Sequence, residues 1–509
     1  MRMPALARRV VCAVAALGTS LAIDPGPARA QARTLVVGVT DNVNSYNPIA
    51  DSAAFMASVW CQVYGCLITY NYEKAAYEGM LVDRWEVADP TTWIFHLRRD
   101  IKSHDGQPLS ADDVAFSIDR MKNDKQSAKR GQIGPIKSVE AIDRHTVRMT
   151  TNAPTADLLE YLTDHILVMQ RRLVEAHGDR DADRNHPFGF GPYKLKDLVI
   201  GNRVVLEKNA DWPGTRADSP DIVIYRVMRE PEQRITALLN GEIQIAHSVP
   251  PHLTGRIKAS PRHKVQASGS IEMMFLAMSP KRKPWDSKEL RQAVAYAIDR
   301  EAIMKTMLQD QGTILNGPFS NGQYAYDPNL QPKYKYDPEK AKELVKKAGF
   351  PNGVDVELFT PVGRYVNDKQ VAEAMAAMLR AVGIRAALKT PEWPTLWSDV
   401  QKGRVPFYYM GRGLMISGGA AISQYFETDE SPRIGYTNPE VDKLLRESRA
   451  AFDKPAYVKS INHALSIILD DAPAHFLWQH NILYGVSNDV KFTPRPDHRV
   501  FGYAVSLNK

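Results

Sequence analysis

The 509-residue sequence predicts an α/β protein with more than one core. Three observations carry that prediction. The chain is long enough for two or three domains. Short β-prone runs recur along it, and between them stand capped helices with a single apolar stripe. Hydrophobic residues make up 44% and charged residues 24%, an ordinary balance for a soluble globular chain.

The elements follow in order. A strand is predicted over Leu35–Thr40, then a polar loop from Asp41 to Pro48 and a helix over Ala53–Tyr64. The stretch from Leu81 to Met121 is the most explicit. Val82–Val87 and Trp93–Leu97 are period-two runs, and Asp89-Pro90-Thr91 supplies the turn of a hairpin. His104-Asp105-Gly106 is a second turn, and Ser110 is placed to cap a helix, with Asp113 three residues on. Gly189-Phe190-Gly191-Pro192-Tyr193 opens a strand pair whose second member holds Val204, Val205 and Leu206. A helix over Gln233–Leu239 stops at Gly241, and Ile243–Ala246 is a strand.

Helices are cleaner in the second half. Asp286 is expected to cap one in which Leu290, Ala293, Val294, Ala297 and Ile298 make a stripe. Asp337-Pro338 reads as N-cap plus first-turn proline, with Gly349 past the end. Val371, Met375, Met378, Leu379 and Val382 make another stripe, stopped by Gly383. Asn438-Pro439 repeats the cap before Val441, Leu444 and Leu445, and Tyr457–Leu469 is the last long helix. Strands are expected at Val354–Phe359 and Phe407–Met410.

Residues 1–30 read as a cleaved secretory leader. Arg2, Arg8 and Arg9 precede an apolar run from Val10 to Ile23, and Ala28-Arg29-Ala30 is an A-x-A site. The run is shorter than the ~20 residues a membrane span needs. The leader carries +3 of the formal net charge of +7, so the rest of the chain is only mildly basic. No basic block argues for a nucleic-acid partner. Beyond the leader only Cys61 and Cys66 remain. In an oxidising compartment they permit a disulfide, and two buried thiols are the equal alternative.

No catalytic constellation is present: no G-x-S-x-G, H-E-x-x-H, phosphate-binding loop or dinucleotide fingerprint. Asp112-Asp113 reads as a charged first helical turn rather than paired catalytic acids. The 13 histidines are scattered, and His475 and His480, five apart, do not share a helical face. Neither an enzyme, a cofactor nor a protein metal site is expected.

The run W-E-V-x-D-x-x-x-W-x-F-H-L-R, then H-D-G-x-P-L-x-A-D-D-V-x-F-S, resembles the peptide/nickel/oligopeptide cluster of periplasmic solute-binding proteins, family 5, of ABC importers. FGFGPYKL, RVVLEKNADW, ALLNGEIQIA, ELRQAVAYAIDREAI, YDPEKAKELVKKAGF, PVGRYVNDKQVAEAMAAMLRAVGI and YTNPEVDKLL are similar to blocks of that family, in its order. The resemblance implies a two-lobed, class II Venus-flytrap fold. Lobe I would hold residues 33–270, with 72–184 as an extra subdomain, and 483–509 returning to it. Lobe II would hold 271–482. It further implies a periplasmic monomer that closes on a small ligand and presents it to the transmembrane permease subunits. A receptor of the same fold signalling to a chemoreceptor or sensor kinase, or a nickel or metal-chelate binder, is the alternative.

Ligand contacts carry over only where motifs match. Pro361-Val362-Gly363-Arg364 matches the spacing at which dipeptide-binding relatives hold a ligand carboxylate; alternatively Arg364 and Tyr365 close a loop onto the next helix. Arg412, before Gly413, stands where the family usually has tryptophan. The following run, Leu414 to Ala421, lacks the acid that pairs with a peptide amino terminus. Arg412 can instead pair with Glu427 or Asp429. Phe190 replaces a usual threonine near the cleft, and Gln244 replaces an acid at a position read as structural. Tyr46 and Asn47 match a cleft edge, though Asn-Pro is also a turn. Trp393 and Trp397 face either the cleft or, by preference, the lobe II core. Together these favour a carboxylated ligand, peptide-like or opine-like, over an ordinary free dipeptide.

Overall fold

An eleven-stranded sheet runs through the molecule and joins its two halves. The computed structural model describes residues 32–40, 45–50, 54–413, 419–428 and 432–508. The expected leader, residues 414–418 and Asp429 lie outside the described residues.

In the first half, Thr34–Val39 runs parallel to Ile222–Val227 and Ile245–Ala246. Its sequence TLVVGV is an almost unbroken apolar run, as a strand covered on both faces requires. Arg203–Lys208 and Tyr193–Val199 extend this end antiparallel. In the second half, Val354–Phe359 lies parallel to Ile384–Lys389 and meets Phe407–Arg412. Two long strands, His263–Met278 and Ala474–Ser487, pair antiparallel along their length and carry the sheet from one half to the other. The chain therefore crosses twice, and the lobes share a two-stranded hinge. At its centre the register slips: Gly269 faces Asn481 while Met273 faces Gln479. Ser270, Ile271 and Glu272 form the resulting bulge, which turns side chains out of the regular alternation.

A separate four-stranded antiparallel sheet lies on the first lobe, in the order Val82–Asp89, Thr92–Leu97, Thr146–Thr151, Ile136–Asp143. The second strand of the hairpin follows its period-two pattern, while the first is bulged at both ends. Trp93, Phe95 and Leu97 point inward and are buried, while Val87, paired with Trp93 near the hairpin turn, is exposed. Helix Ala111–Asn123 covers the sheet with Val114, Ile118 and Met121, and Ser110 caps it by accepting the Asp113 N–H.

The segment Gly189-Phe190-Gly191 presses against the end of helix Ala54–Tyr64. A Cβ on Gly189 would stand 2.3 Å from the Tyr64 Cα, and one on Gly191 would stand 2.1 Å from the Gln62 carbonyl oxygen. Only glycine permits that approach. At the C-terminal end of the same helix, Cys61 and Cys66 have sulfurs at bonding distance and Cα atoms 5.2 Å apart.

The second lobe has two cores, packed on opposite faces of its sheet. Asn438 and Asp337 cap their helices as the Asn-Pro and Asp-Pro pairs predict. The cap at residue 286 is displaced by one. Ser287, not Asp286, accepts the Leu290 N–H at 3.2 Å, because serine has the same capping chemistry one step nearer. The Asp286 carbonyl instead accepts from Arg291 at 3.3 Å. Among the described residues no helix is long and apolar enough to cross a membrane.

Candidate ligand-binding site

The lobes meet face to face. The Ala156 N–H donates to the Arg449 carbonyl at 2.7 Å, the Tyr70 hydroxyl donates to the Gly322 carbonyl at 3.1 Å, and the Trp93 and Phe452 rings lie 5.8 Å apart. Each contact joins a residue of the first lobe to one of the second, so this is a closed arrangement.

On the second-lobe side, the loop Pro361–Tyr365 is fixed from below. The buried Asp368 carboxylate accepts the backbone N–H groups of Gly363, Arg364 and Tyr365 at 3.0, 2.8 and 3.0 Å. With its backbone held, the Arg364 guanidinium lies 4.9 Å from the centre of the Trp393 ring. Trp393 stacks on Trp397, with centroids 5.8 Å apart and planes at 13°. Arg433 covers the far side of that pair, 5.3 Å from Trp397 and 5.1 Å from Tyr425. Cation and ring alternate, each arginine facing an electron-rich surface.

Arg412 ends the strand Phe407–Arg412. Its Nη2 donates to the Gln424 Oε1 at 2.7 Å, and the same oxygen accepts from Arg433 Nη1 at 2.9 Å. Its Nε is buried without a partner among the described residues. Glu427, a candidate partner for Arg412 on sequence grounds, is taken: both its oxygens accept from Arg449, at 2.6 and 2.7 Å. Arg449 is nearer because it leaves the adjoining helix Pro439–Ala450, whereas Arg412 turns toward Gln424.

Glu272 completes the group. It belongs to the hinge bulge, and the Gly411 and Gly413 backbones lie against it. A Cβ on Gly411 would meet the Glu272 Cδ at 3.1 Å, and one on Gly413 would meet its Cβ at 3.2 Å. Burial pushes the Glu272 carboxyl above the usual range, and the positive charges of Arg364 and Arg412 oppose that rise. Among the described residues, one acid thus faces two arginines.

The remaining predicted contacts divide. Tyr365 joins the site: its hydroxyl donates to the Gly411 carbonyl at 3.1 Å and its ring meets Trp393 edge-on. Gly413 adjoins Arg412, and a niche of about 10 Å³ beside them is walled by Met273, Phe319, Ile422 and Phe426. Trp393 and Trp397 are half-buried and pack against the second-lobe core, as the preferred sequence reading expects, and they also form a stacked pair bearing arginines. Tyr46 is occupied elsewhere, its hydroxyl donating to the Leu198 carbonyl at 2.5 Å, and Asn47 accepts the Ile49 N–H as a turn residue. Phe190 has no exposed surface and packs in the first-lobe core, because flanking glycines draw it against the helix. These three are not gathered with the arginines. Gln244 accepts the Val36 N–H at 2.8 Å, a structural role. A larger cavity of about 540 Å³ borders the hinge, lined by Ser268, Asn316, Gln479 and Asn481 among others.

Glu272, Gln424 and Arg433 had no sequence signal. The nearest hint was the bulge-prone Ser-Gly-Ser at residues 268–270 preceding Glu272.

Two α/β lobes, joined by two strands and meeting face to face, have the architecture of a solute-binding protein. The chain belongs to the bacterial extracellular solute-binding proteins, family 5, whose middle region matches residues 76–431. It is 26% identical over 510 residues to the dipeptide-binding protein of Escherichia coli (strain K12), covering 93% of this chain and 94% of that protein. It is 27% identical over 475 residues to the glutathione-binding protein GsiB of Salmonella choleraesuis (strain SC-B67), covering 90% and 91%. Its backbone matches HbpA2 from Haemophilus parasuis with a TM-score of 0.82 at 23% identity, covering 94% of this chain and 100% of that one. The expected two-lobed fold and the role of solute capture for an ABC importer are met, and the family is one of binding proteins rather than enzymes.

Proposed function

We propose that this protein captures an anionic, carboxylated small solute between its lobes in the periplasm and delivers it to the permease subunits of its importer. Residues 33–270 and 483–509 serve as one lobe in this reading, with 72–184 as its added subdomain, and 271–482 as the other. The observation that carries it is the placement of Arg364 and Arg412 around Glu272, the one acid facing them among the described residues. Neither arginine has a direct ion pair among the described residues. Arg364 is exposed and Arg412 half-buried, so both guanidinium groups are accessible to a ligand carboxylate, which either can hold through two parallel hydrogen bonds. Glu272 supplies an acceptor for one ligand N–H, which suits amino-acid conjugates such as opine-like acids or N-blocked peptides. Glutathione, named for one relative, is likewise a peptide-like molecule with more carboxylates than amines.

Calorimetric titration with free dipeptides and with carboxylated conjugates tests this. Tighter binding of the conjugates, lost in Arg364→Ala and Arg412→Ala, is expected. Tight binding of ordinary dipeptides that survives both substitutions would overturn it.

A further inference from the structure

A second kind of chemistry is gathered far along the chain from the arginines, where helix Arg171–His177 meets helix Asp179–Asn185. Gly178, at φ +76°, reverses the chain between them, a conformation that side chains other than glycine rarely adopt. The reversal brings His177 Nδ1 to 3.7 Å and His186 Nε2 to 3.4 Å from one oxygen, Asp181 Oδ2. The three ligand atoms all lie within 4.8 Å of one another. The two imidazoles stack with centroids 3.9 Å apart and planes at 18°. Asn185 Nδ2 donates to the other carboxylate oxygen, Asp181 Oδ1, at 2.5 Å. That bond leaves Oδ2 turned toward both rings, the way an outer hydrogen bond orients a metal-ligating carboxylate. Phe188 lies edge-on to His186 at 6.2 Å and walls one side. The neighbouring Asp179 is not part of the group; it lies 3.2 Å from Arg120 Nε.

We propose that His177, Asp181 and His186 form a binding site for a divalent transition-metal ion of the zinc or nickel class. Two imidazoles and one carboxylate are a borderline donor set, which selects such ions over magnesium or calcium. An ion about 2.0–2.1 Å from each ligand in tetrahedral array separates the ligands by about 3.3–3.4 Å. The ligand atoms are within reach of one ion, but the stacked rings point their in-plane lone pairs side by side, so binding requires the two imidazoles to unstack and tilt toward a common point. Side-chain exposures of 37%, 44% and 32% leave the site open to an ion from solution, with water in the remaining positions. Bound metal would tie the end of each helix to the other and hold the segment leading into Gly189. Spacings of four and five residues, across a helix break, hid the group from a sequence search for ligands on one helical face.

Untagged mature protein titrated with Zn²⁺ alone and with Ni²⁺ alone should bind one equivalent, with a rise in Tm. The His177→Ala/His186→Ala double variant should lose that site and the Tm response. Asp181→Asn should weaken binding at least tenfold. X-ray absorption of the nickel-loaded protein should show imidazole scattering, a readout independent of how any variant folds. Absence of saturable binding to the wild type, an undiminished site in the double variant, or a nickel shell without imidazole would each overturn the proposal.

Discussion

Arg412 is positioned by Gln424, whose carboxamide oxygen accepts its Nη2 at 2.7 Å. Because Arg433 uses the same oxygen, one neutral acceptor holds two like charges close together. Such an arrangement orients guanidinium groups without cancelling their charge. It is therefore suited to a cleft in which the neutralising group arrives with the ligand.

Exchanging that acceptor for an acid separates stability from binding. Gln424→Glu supplies a carboxylate to Arg412 and Arg433, and a charge-assisted bond is stronger than a neutral one. The variant should melt at a higher temperature than the wild type and bind a carboxylated ligand at least tenfold more weakly. Gln424→Leu should weaken both properties, with an unsatisfied guanidinium costing roughly 1–3 kcal/mol. Thermal melts and calorimetry on the two variants check the pair of outcomes.

Asp368 acts beneath the site rather than in it. Its carboxylate gathers three consecutive backbone N–H groups, including that of Arg364. Asp368→Ala leaves those donors without their acceptor and should destabilise the second lobe by about 2 kcal/mol. It should also reduce affinity through a less ordered Arg364. Asp368→Asn keeps one acceptor oxygen and should fall between. Urea unfolding at neutral pH gives the first quantity and ligand titration the second.

Stability should fall as the solution is acidified below about pH 6.5. Burial holds the imidazoles of His247 and His480 down to about 4, and nearby Arg234 and His498 respectively push the same way. The unfolded chain, with histidines near 6.5, then binds more protons than the folded one between pH 6.5 and 4. Each histidine contributes stability that is complete above that window and is lost through it. The loss is on the order of 3 kcal/mol per group by pH 4. Unfolding midpoints measured across pH 4–7 should decline, and replacing His480 by Gln should flatten the decline.

Lobe closure should be ligand-dependent. The contacts Tyr70–Gly322, Ala156–Arg449 and Trp93–Phe452 exist only when the lobes meet. Solution scattering should show a smaller radius of gyration with saturating ligand than without. Phe452→Asp, which places a charge against Trp93, should shift the balance toward the open form and weaken ligand binding.

The legible parts of this protein were those written locally. Caps at Ser110, Asp337 and Asn438 needed only side-chain chemistry one to three residues away. The second strand of the hairpin around Pro90 needed only period-two alternation, whereas the first carries a bulge at each end. Arg364 and Arg412 could be singled out because each lies in a short block with its own spacing. Glu272 could not, since its orientation comes from a slip of register between strands more than 200 residues apart in sequence. Gln424 and Arg433 lie on other elements and reach Arg412 only through tertiary packing. Tyr46 and Phe190 show the converse. Their motif matched a cleft edge, but a carbonyl at Leu198 and close glycine packing claimed them for the first lobe.

In the proposed function the cleft holds an anionic, carboxylated solute against Arg364 and Arg412. Mass spectrometry of small molecules released from protein purified without added ligand tests it most directly. A compound with more carboxylates than amines is expected, absent from material carrying both Arg364→Ala and Arg412→Ala. Release of a neutral or cationic compound, retained equally by the double variant, would contradict it.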